Sequence, residues 1–289
     1  MKTTRKFAVF IVTNGRPDNI KTLQTLQKTG YTGKTYLVID SEDKKADEYH
    51  KRYGDMVLQF DKMDIVPMVD EADSTKDRRV VLYARHASQH MAKKLGYTHM
   101  LQFDDDYVDF RYRFIKNGKL TSYSVKNFDA LCEATFDFLD ASNALTIAWG
   151  QGGDMIGGIA SPNYKAGLRR KAMNSFFMRT DRLCNFVGRI NEDVNFYVAE
   201  GARGELIMSD YHVNVTQMQT QKNAGGMTTI YLSEGTYVKS FYSVMIAPSC
   251  VTVCPMGTSN RRIHHKVNWN YAVPKILNPS YSKNIVKGK

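Results

Sequence analysis

The sequence predicts an α/β protein with an open, Rossmann-type sheet whose strands are mostly parallel, and three observations carry that prediction. Apolar runs alternate with helix-periodic segments through the first hundred residues. An acidic or polar turn follows each apolar run. Apolar residues make up 43% of the 289 positions, with 17 Tyr and 14 Phe among them, which is ample for a packed core and excludes a disordered chain.

Phe7–Val12 is a continuous apolar run of the kind a buried strand requires. Residues 18–28 place Ile20, Leu23 and Leu26 at helical spacing, closed by Gly30. A second strand is expected at 35–39, a polar helix at 43–52 and a short third strand at 56–60. Ser74 and Asp77 form a capping-box pattern ahead of a helix whose stripe is Val80, Ala84, Ala87, Met91 and Leu95, stopped by Gly96. Residues 98–103 are the fourth strand. Beyond residue 110 the pattern predicts a helix at 128–139, a strand at 144–149 and a loop at 150–167 carrying six glycines. It further predicts a strand at 172–178, a helix opening at 192–197, strand material within 237–253 and a poorly ordered tail from 278.

In open α/β sheets ligands bind beyond the carboxyl ends of the strands. Here those ends are Thr13-Asn14-Gly15-Arg16, Asp40, Asp61 and Asp104-Asp105-Asp106. Three adjacent carboxylates on a half-buried turn repel one another and resist ionisation unless a cation compensates. Mg²⁺ or Mn²⁺ suits a few carboxylates completed by diphosphate oxygens.

The chain carries 40 Lys+Arg against 29 Asp+Glu, a formal charge of +11, which points to an anionic partner such as nucleic acid or a phosphorylated small molecule. The excess recurs at 165–171, 179–189 and 261–266. Cys132, Cys184, Cys250 and Cys254 form no CxxC pair and are expected to be free thiols in a reducing compartment. The charged start of the chain resembles a signal peptide, but the apolar stretch behind it is too short and suits a buried strand. No run approaches the roughly 18 apolar residues of a membrane span, so membrane insertion is not expected. No GxGxxG or Walker A pattern is present, which argues against dinucleotide enzymes and P-loop ATPases.

A strand leading into Asp104-Asp105-Asp106 halfway along a basic α/β chain resembles a GT-A-type glycosyltransferase. That resemblance implies a metal ligand at Asp106 and a contact to the donor's ribose or sugar at Asp104, with Asp105 between them. It assigns Thr13, Asn14, Gly15 and Arg16 to the loop against the nucleotide base, Asp40 to a base contact, and Arg85 to the helix before the metal strand. Arg189-Ile190-Asn191-Glu192-Asp193 resembles the acidic pair that supplies the general base of inverting members, with Asp193 preferred over Glu192. His264-His265 resembles the late histidine of the metal shell, with His265 preferred.

A narrower likeness covers Gln221-Lys222-Asn223-Ala224-Gly225-Gly226, the run from Tyr237 to Met245, and the ending from His264 to Pro274. These segments resemble phage TET-associated glycosyltransferases, whose members attach sugars to hydroxymethylated pyrimidines in DNA. The resemblance implies a single domain over 1–289, with 1–110 binding a UDP-sugar, 111–277 binding the acceptor and 278–289 a tail. It also implies the cytoplasm of an infected cell as the location. Arg169, Arg170, Lys171, Gly225 and Gly226 are the candidates for acceptor contact, and Tyr237, Phe241 and Tyr242 can either stack on an extruded base or fill a core strand. Three other readings remain open: a glycosyltransferase acting on protein or carbohydrate, a DNA-binding protein whose acidic cluster is structural, and a nucleotidyltransferase or metal nuclease, which also groups carboxylates around Mg²⁺. Release of UDP from a donor separates enzyme from binding module.

Overall fold

The computed structural model describes residues 5–165, 171–173, 175–218, 228–256 and 262–281. Its main sheet has nine strands: β1 (Phe7–Val12), β2 (Thr35–Asp40), β3 (Val57–Phe60), β4 (His99–Asp104), β5 (Tyr107–Lys116), β6 (Lys119–Ser124), β7 (Thr146–Gln151), β8 (Ser175–Arg179) and β9 (Ile207–Gln217). They lie in the order β3-β2-β1-β4-β8-β7-β9-β5-β6. A separate hairpin pairs β10 (Val251–Met256) with β11 (Arg262–Val267).

The sheet is mixed, which corrects the expectation of mostly parallel strands. β1 to β4 are parallel to one another, as their helical crossovers require. Beyond β4 the pairings β4–β8, β7–β8, β5–β9 and β5–β6 are all antiparallel, and only β7–β9 is parallel. The alternation rule behind the parallel expectation held only where strand and helix strictly alternate.

Alternation along β1 sorts the core. Ala8, Phe10 and Val12 face one cluster with Leu82, Tyr83 and Ala87 of the helix Leu82–Lys94 and with Phe186, Val194 and Phe196. Val9 and Ile11 face the other, with Phe128 and Phe136 of the helix Phe128–Ser142 and with Phe103 and Trp149. Both sheet faces are therefore covered, and the ends of β1 and β4 open between the layers.

Three local expectations are corrected. The helix expected after Ser74 begins only at Leu82, without a side-chain cap, because Asp77 is engaged by Arg79 and the Asp77 carbonyl by Arg189. The stretch 237–253 holds the expected strand only at its end, in β10 from Val251; before that, Thr228–Ile246 is a helix interrupted at Gly235 (φ 77°). Tyr237, Phe241 and Met245 are exposed at helical spacing while Ser240, Tyr242 and Ser243 are buried, so two serines and one tyrosine face inward. The expected tail is ordered through the turn Pro279–Tyr281, where the Tyr281 hydroxyl meets Glu205 and Arg182, and residues 282–289 lie outside the described residues. All four cysteines are free thiols. Among the described residues no helix is long and apolar enough to cross a membrane.

Candidate active site

The turn after β4 is anchored through its backbone, which leaves its carboxylates to project. Thr22, wholly buried in the first turn of the helix Lys21–Lys28, donates from Oγ1 to the Asp104 carbonyl (2.5 Å) and from its N–H to the Asp105 carbonyl (3.1 Å). The Tyr107 N–H donates to Thr22 Oγ1 (3.0 Å), and the Met218 N–H to the Asp106 carbonyl (3.1 Å).

The three carboxylates then part company. Asp105 is buried, accepts from Thr13 Oγ1 at 2.6 Å and lies 3.4 Å from Arg16 Nε, so it clasps the loop after β1. Asp104 pairs with Arg85 Nη2 at 2.9 Å. Asp106 Oδ1 is buried without a hydrogen-bond partner. Burial first, then Asp104 and Asp105, push Asp106 up to about 7, while burial raises Asp105 to about 6 against the pull of Arg16. An orphaned, buried carboxylate oxygen in an acidic surround fits a cation.

The loop after β1 is held by residues that local pattern did not single out. The Tyr49 hydroxyl accepts from the Arg16 N–H (2.9 Å) and meets Thr13 Oγ1 (2.9 Å). Asp43 Oδ2 accepts from the N–H of Gly15 (2.7 Å), whose φ of 71° suits glycine. Asp40 is buried and bound by Lys62 Nζ at 2.5 Å. Burial opposes charge on Lys62, but Asp40 and Glu42 raise it overall. Asn14 lines the same cavity.

Arg85 is the central cation, 2% exposed. Besides Asp104 it reaches Glu192 Oε1 from Nε (3.2 Å) and Gln102 Oε1 from Nη1 (3.1 Å), and its guanidinium lies 5.0 Å from the Phe176 ring centroid. Burial works against its charge, but Asp104 and Glu192 outweigh that and hold it above the usual guanidinium range. The second acidic pair is thereby tied to the first. Glu192 and Asp193 open the helix Glu192–Ala202, both buried. Burial, then Asp193, push Glu192 up to about 7. Burial also raises Asp193, which Arg85 partly offsets.

A profile of TET-associated glycosyltransferases matches residues 7–226. The chain belongs to the TET-associated glycosyltransferase family. It is accordingly an enzyme, which sets aside the reading as a non-catalytic DNA-binding protein. No curated protein matches it. Similar solved structures include S. aureus TarS 1–349 in complex with UDP, at 12% identity and TM-score 0.42, covering 75% of this chain and 61% of that one. Glucosyl-3-phosphoglycerate synthase from Mycobacterium tuberculosis, in complex with Mn²⁺, UDP and phosphoglyceric acid, is 8% identical at TM-score 0.46, covering 91% and 87%. Mannosyltransferase PcManGT from Pyrobaculum calidifontis, in complex with GDP-Man and Mn²⁺, is 10% identical at TM-score 0.46, covering 74% and 57%. The chain thus spans less than two thirds of the TarS fragment and of PcManGT.

In this TET-associated glycosyltransferase one cavity of about 1900 Å³ is lined by Asn14, Asp106, Arg85, Asp193, Lys171 and His265 together. Lys239 and Arg262 also line it, beside the two histidines. Burial, His264 and the two lysines push His265 down to about 4, so its ring is neutral and able to ligate. Its Nδ1 faces Asn191 Nδ2 at 3.5 Å. Among the described residues no three His, Cys, Asp or Glu side chains gather closely enough to enclose a metal. The set fits an ion that keeps most of its shell for phosphate oxygens.

Lys171 lines the cavity with Nζ 2.7 Å from Asp154 Oδ1. Arg169, Arg170, Gly225 and Gly226 lie outside the described residues. The basic run 179–189 does not form a free anionic-partner surface, because Arg179, Arg182 and Arg189 are engaged by Asp181, Glu205 and Asp73. Tyr237 and Phe241 are exposed, whereas Tyr242 is buried and donates to Asp73.

Proposed function

We propose that the enzyme is a metal-dependent, inverting glycosyltransferase that moves a sugar from a UDP-sugar to a hydroxymethylated pyrimidine in DNA. The observation that carries the reading is the meeting, in one cavity, of the unpartnered Asp106 oxygen and the raised Glu192–Asp193 pair, joined through Arg85.

Asp106, with His265 as a second candidate, would hold Mn²⁺ or Mg²⁺, which when bound supplies Lewis-acid neutralisation of the diphosphate. The Thr13–Arg16 loop and Asp40 receive the nucleoside, since Asp105, Tyr49 and Asp43 fix that loop's backbone. Lys239 and Arg262 add positive charge to the cavity lining. Asp193 takes the proton from the acceptor hydroxyl as its oxygen attacks the anomeric carbon. The bond from that carbon to the diphosphate oxygen breaks on the opposite face, and UDP departs with the electron pair. A carboxylate whose proton affinity burial has raised is suited to this step. Family membership and the net charge of +11 support a DNA acceptor.

The test is incubation of the enzyme and Mn²⁺ with a panel of UDP-sugars and hydroxymethylcytosine DNA, followed by nucleoside mass spectrometry. A sugar-sized mass gain on the modified base is expected. Transfer only to peptide or carbohydrate acceptors would overturn the DNA assignment.

A further inference from the structure

Resting on the reading of DNA as acceptor, we infer that the β5–β6 hairpin carries a subsite for the base next to the modified one, and so reads the context of the target. β5 and β6 meet at Asn117-Gly118, both at positive φ (51° and 72°), the backbone of a tight hairpin turn. The cross-strand pairs Arg111–Ser124, Arg113–Ser122 and Ile115–Leu120 share one face of this hairpin. Arg111, Arg113 and Ser122 line the main cavity. Arg113, Ile115 and Leu120 line a second cavity of about 290 Å³, walled also by Phe114, Met155 and Tyr211. Arg113 therefore stands between the two, held by a 2.9 Å hydrogen bond from Nη2 to the Gly152 carbonyl.

Three features select a nucleobase as the occupant. The second cavity is apolar and aromatic, which suits the face of any base, and its volume is near the lower limit of about 300 Å³ for small-molecule sites, enough for one ring system. It adjoins the cavity holding the acidic clusters, with Arg113 as the shared wall. Cations flank it, with Arg111 and Arg113 on the shared face and exposed Lys116 and Lys119 paired beside the hairpin tip, placed to meet backbone phosphates. A flanking base enters this cavity from a strand that is locally unstacked, the state required to bring a target base into the main cavity.

The test uses fluorescence anisotropy with labelled hydroxymethylcytosine duplexes, intact or carrying an abasic site immediately 5′ or 3′ of the modified base. The protein is wild type or the double variant Ile115→Ala, Leu120→Ala; Ile115 is half exposed, so the fold should tolerate the change. Wild-type binding should weaken about tenfold for one abasic position only. The double variant should weaken similarly on intact DNA and lose nothing further on that abasic duplex, with UDP release from donor alone unchanged. Equal wild-type affinity for all three duplexes, or additive losses in the variant, would overturn the subsite while leaving DNA as the acceptor. Failure of the wild type to bind any duplex, with transfer to a peptide or carbohydrate, would overturn the acceptor reading and the subsite together.

Discussion

The acidic turn at 104–106 and the acidic pair at 192–193 share a cavity and a guanidinium, yet the protein treats them differently. In the turn, Asp105 accepts from Thr13 beside Arg16, and Asp104 Oδ1, though not hydrogen-bonded, is ion-paired with Arg85, while Asp106 Oδ1 has neither a hydrogen bond nor an ion pair. In the pair, Glu192 takes the other side of Arg85 and Asp193 adjoins a wall with Lys171 and Lys239. The turn is therefore short of positive charge at one atom, whereas the pair is partly compensated from within the protein. A site lacking charge at one atom is suited to recruit an ion, and a partly compensated one to hold a proton in transit.

Removing the uncompensated charge should have the largest effect. Asp106→Asn should lower turnover by at least about a hundredfold, yet raise the stability of the metal-free protein. Because the folded protein holds the Asp106 proton up to about 7, against an ordinary value of 3.8, folding binds an extra proton between those values, and wild-type stability is lost as pH rises through them. Thermal melts in chelator should favour the variant by roughly 1–3 kcal/mol at pH 8, with the gap closing below about pH 4. A variant no more stable than wild type at pH 8 would show that Asp106 is already neutralised.

Removing the shared cation probes the opposite case. Arg85→Met leaves Asp104 and Glu192 buried without their common partner and should cost about 3–5 kcal/mol, read by urea unfolding. Adding Glu192→Gln should restore part of that loss. No restoration would mean that packing against Phe176, not charge, sets the role of Arg85.

How much of this was legible in the sequence depended on the range of the interactions. β1 to β4 and the acidic turn were readable because each is a local run ended by a local signal. The hairpin Tyr107–Ser124 was missed although Asn117-Gly118 marks its turn, because charged and aromatic residues on β5 give no clean apolar alternation. β9 was legible but missed: Asp210, His212 and Asn214 alternate with the buried Tyr211, Val213 and Val215, the period-two signal of a strand. The second partner of Arg85 lies 107 residues away, beyond any periodicity. Thr22 and Tyr49 look like ordinary helix residues until the fold brings them under the turn and the first loop.

A smaller effect tests that last point. Tyr49→Phe removes one hydroxyl from Thr13 and from the Arg16 N–H, and should cost about 1 kcal/mol while raising the donor KM a few-fold. Unchanged KM with the same stability loss would make the clasp purely structural.

The division of labour between the two acidic clusters is tested most directly by calorimetric titration of UDP, with and without Mn²⁺, into wild type, Asp106→Asn and Asp193→Asn, alongside turnover of each. The account predicts that wild type and Asp193→Asn bind UDP alike and only tightly with Mn²⁺, that Asp106→Asn loses this metal-linked gain, and that Asp193→Asn nevertheless loses roughly 10²–10⁴-fold in turnover. Metal-linked UDP binding that survives Asp106→Asn, or falls equally in Asp193→Asn, would contradict it.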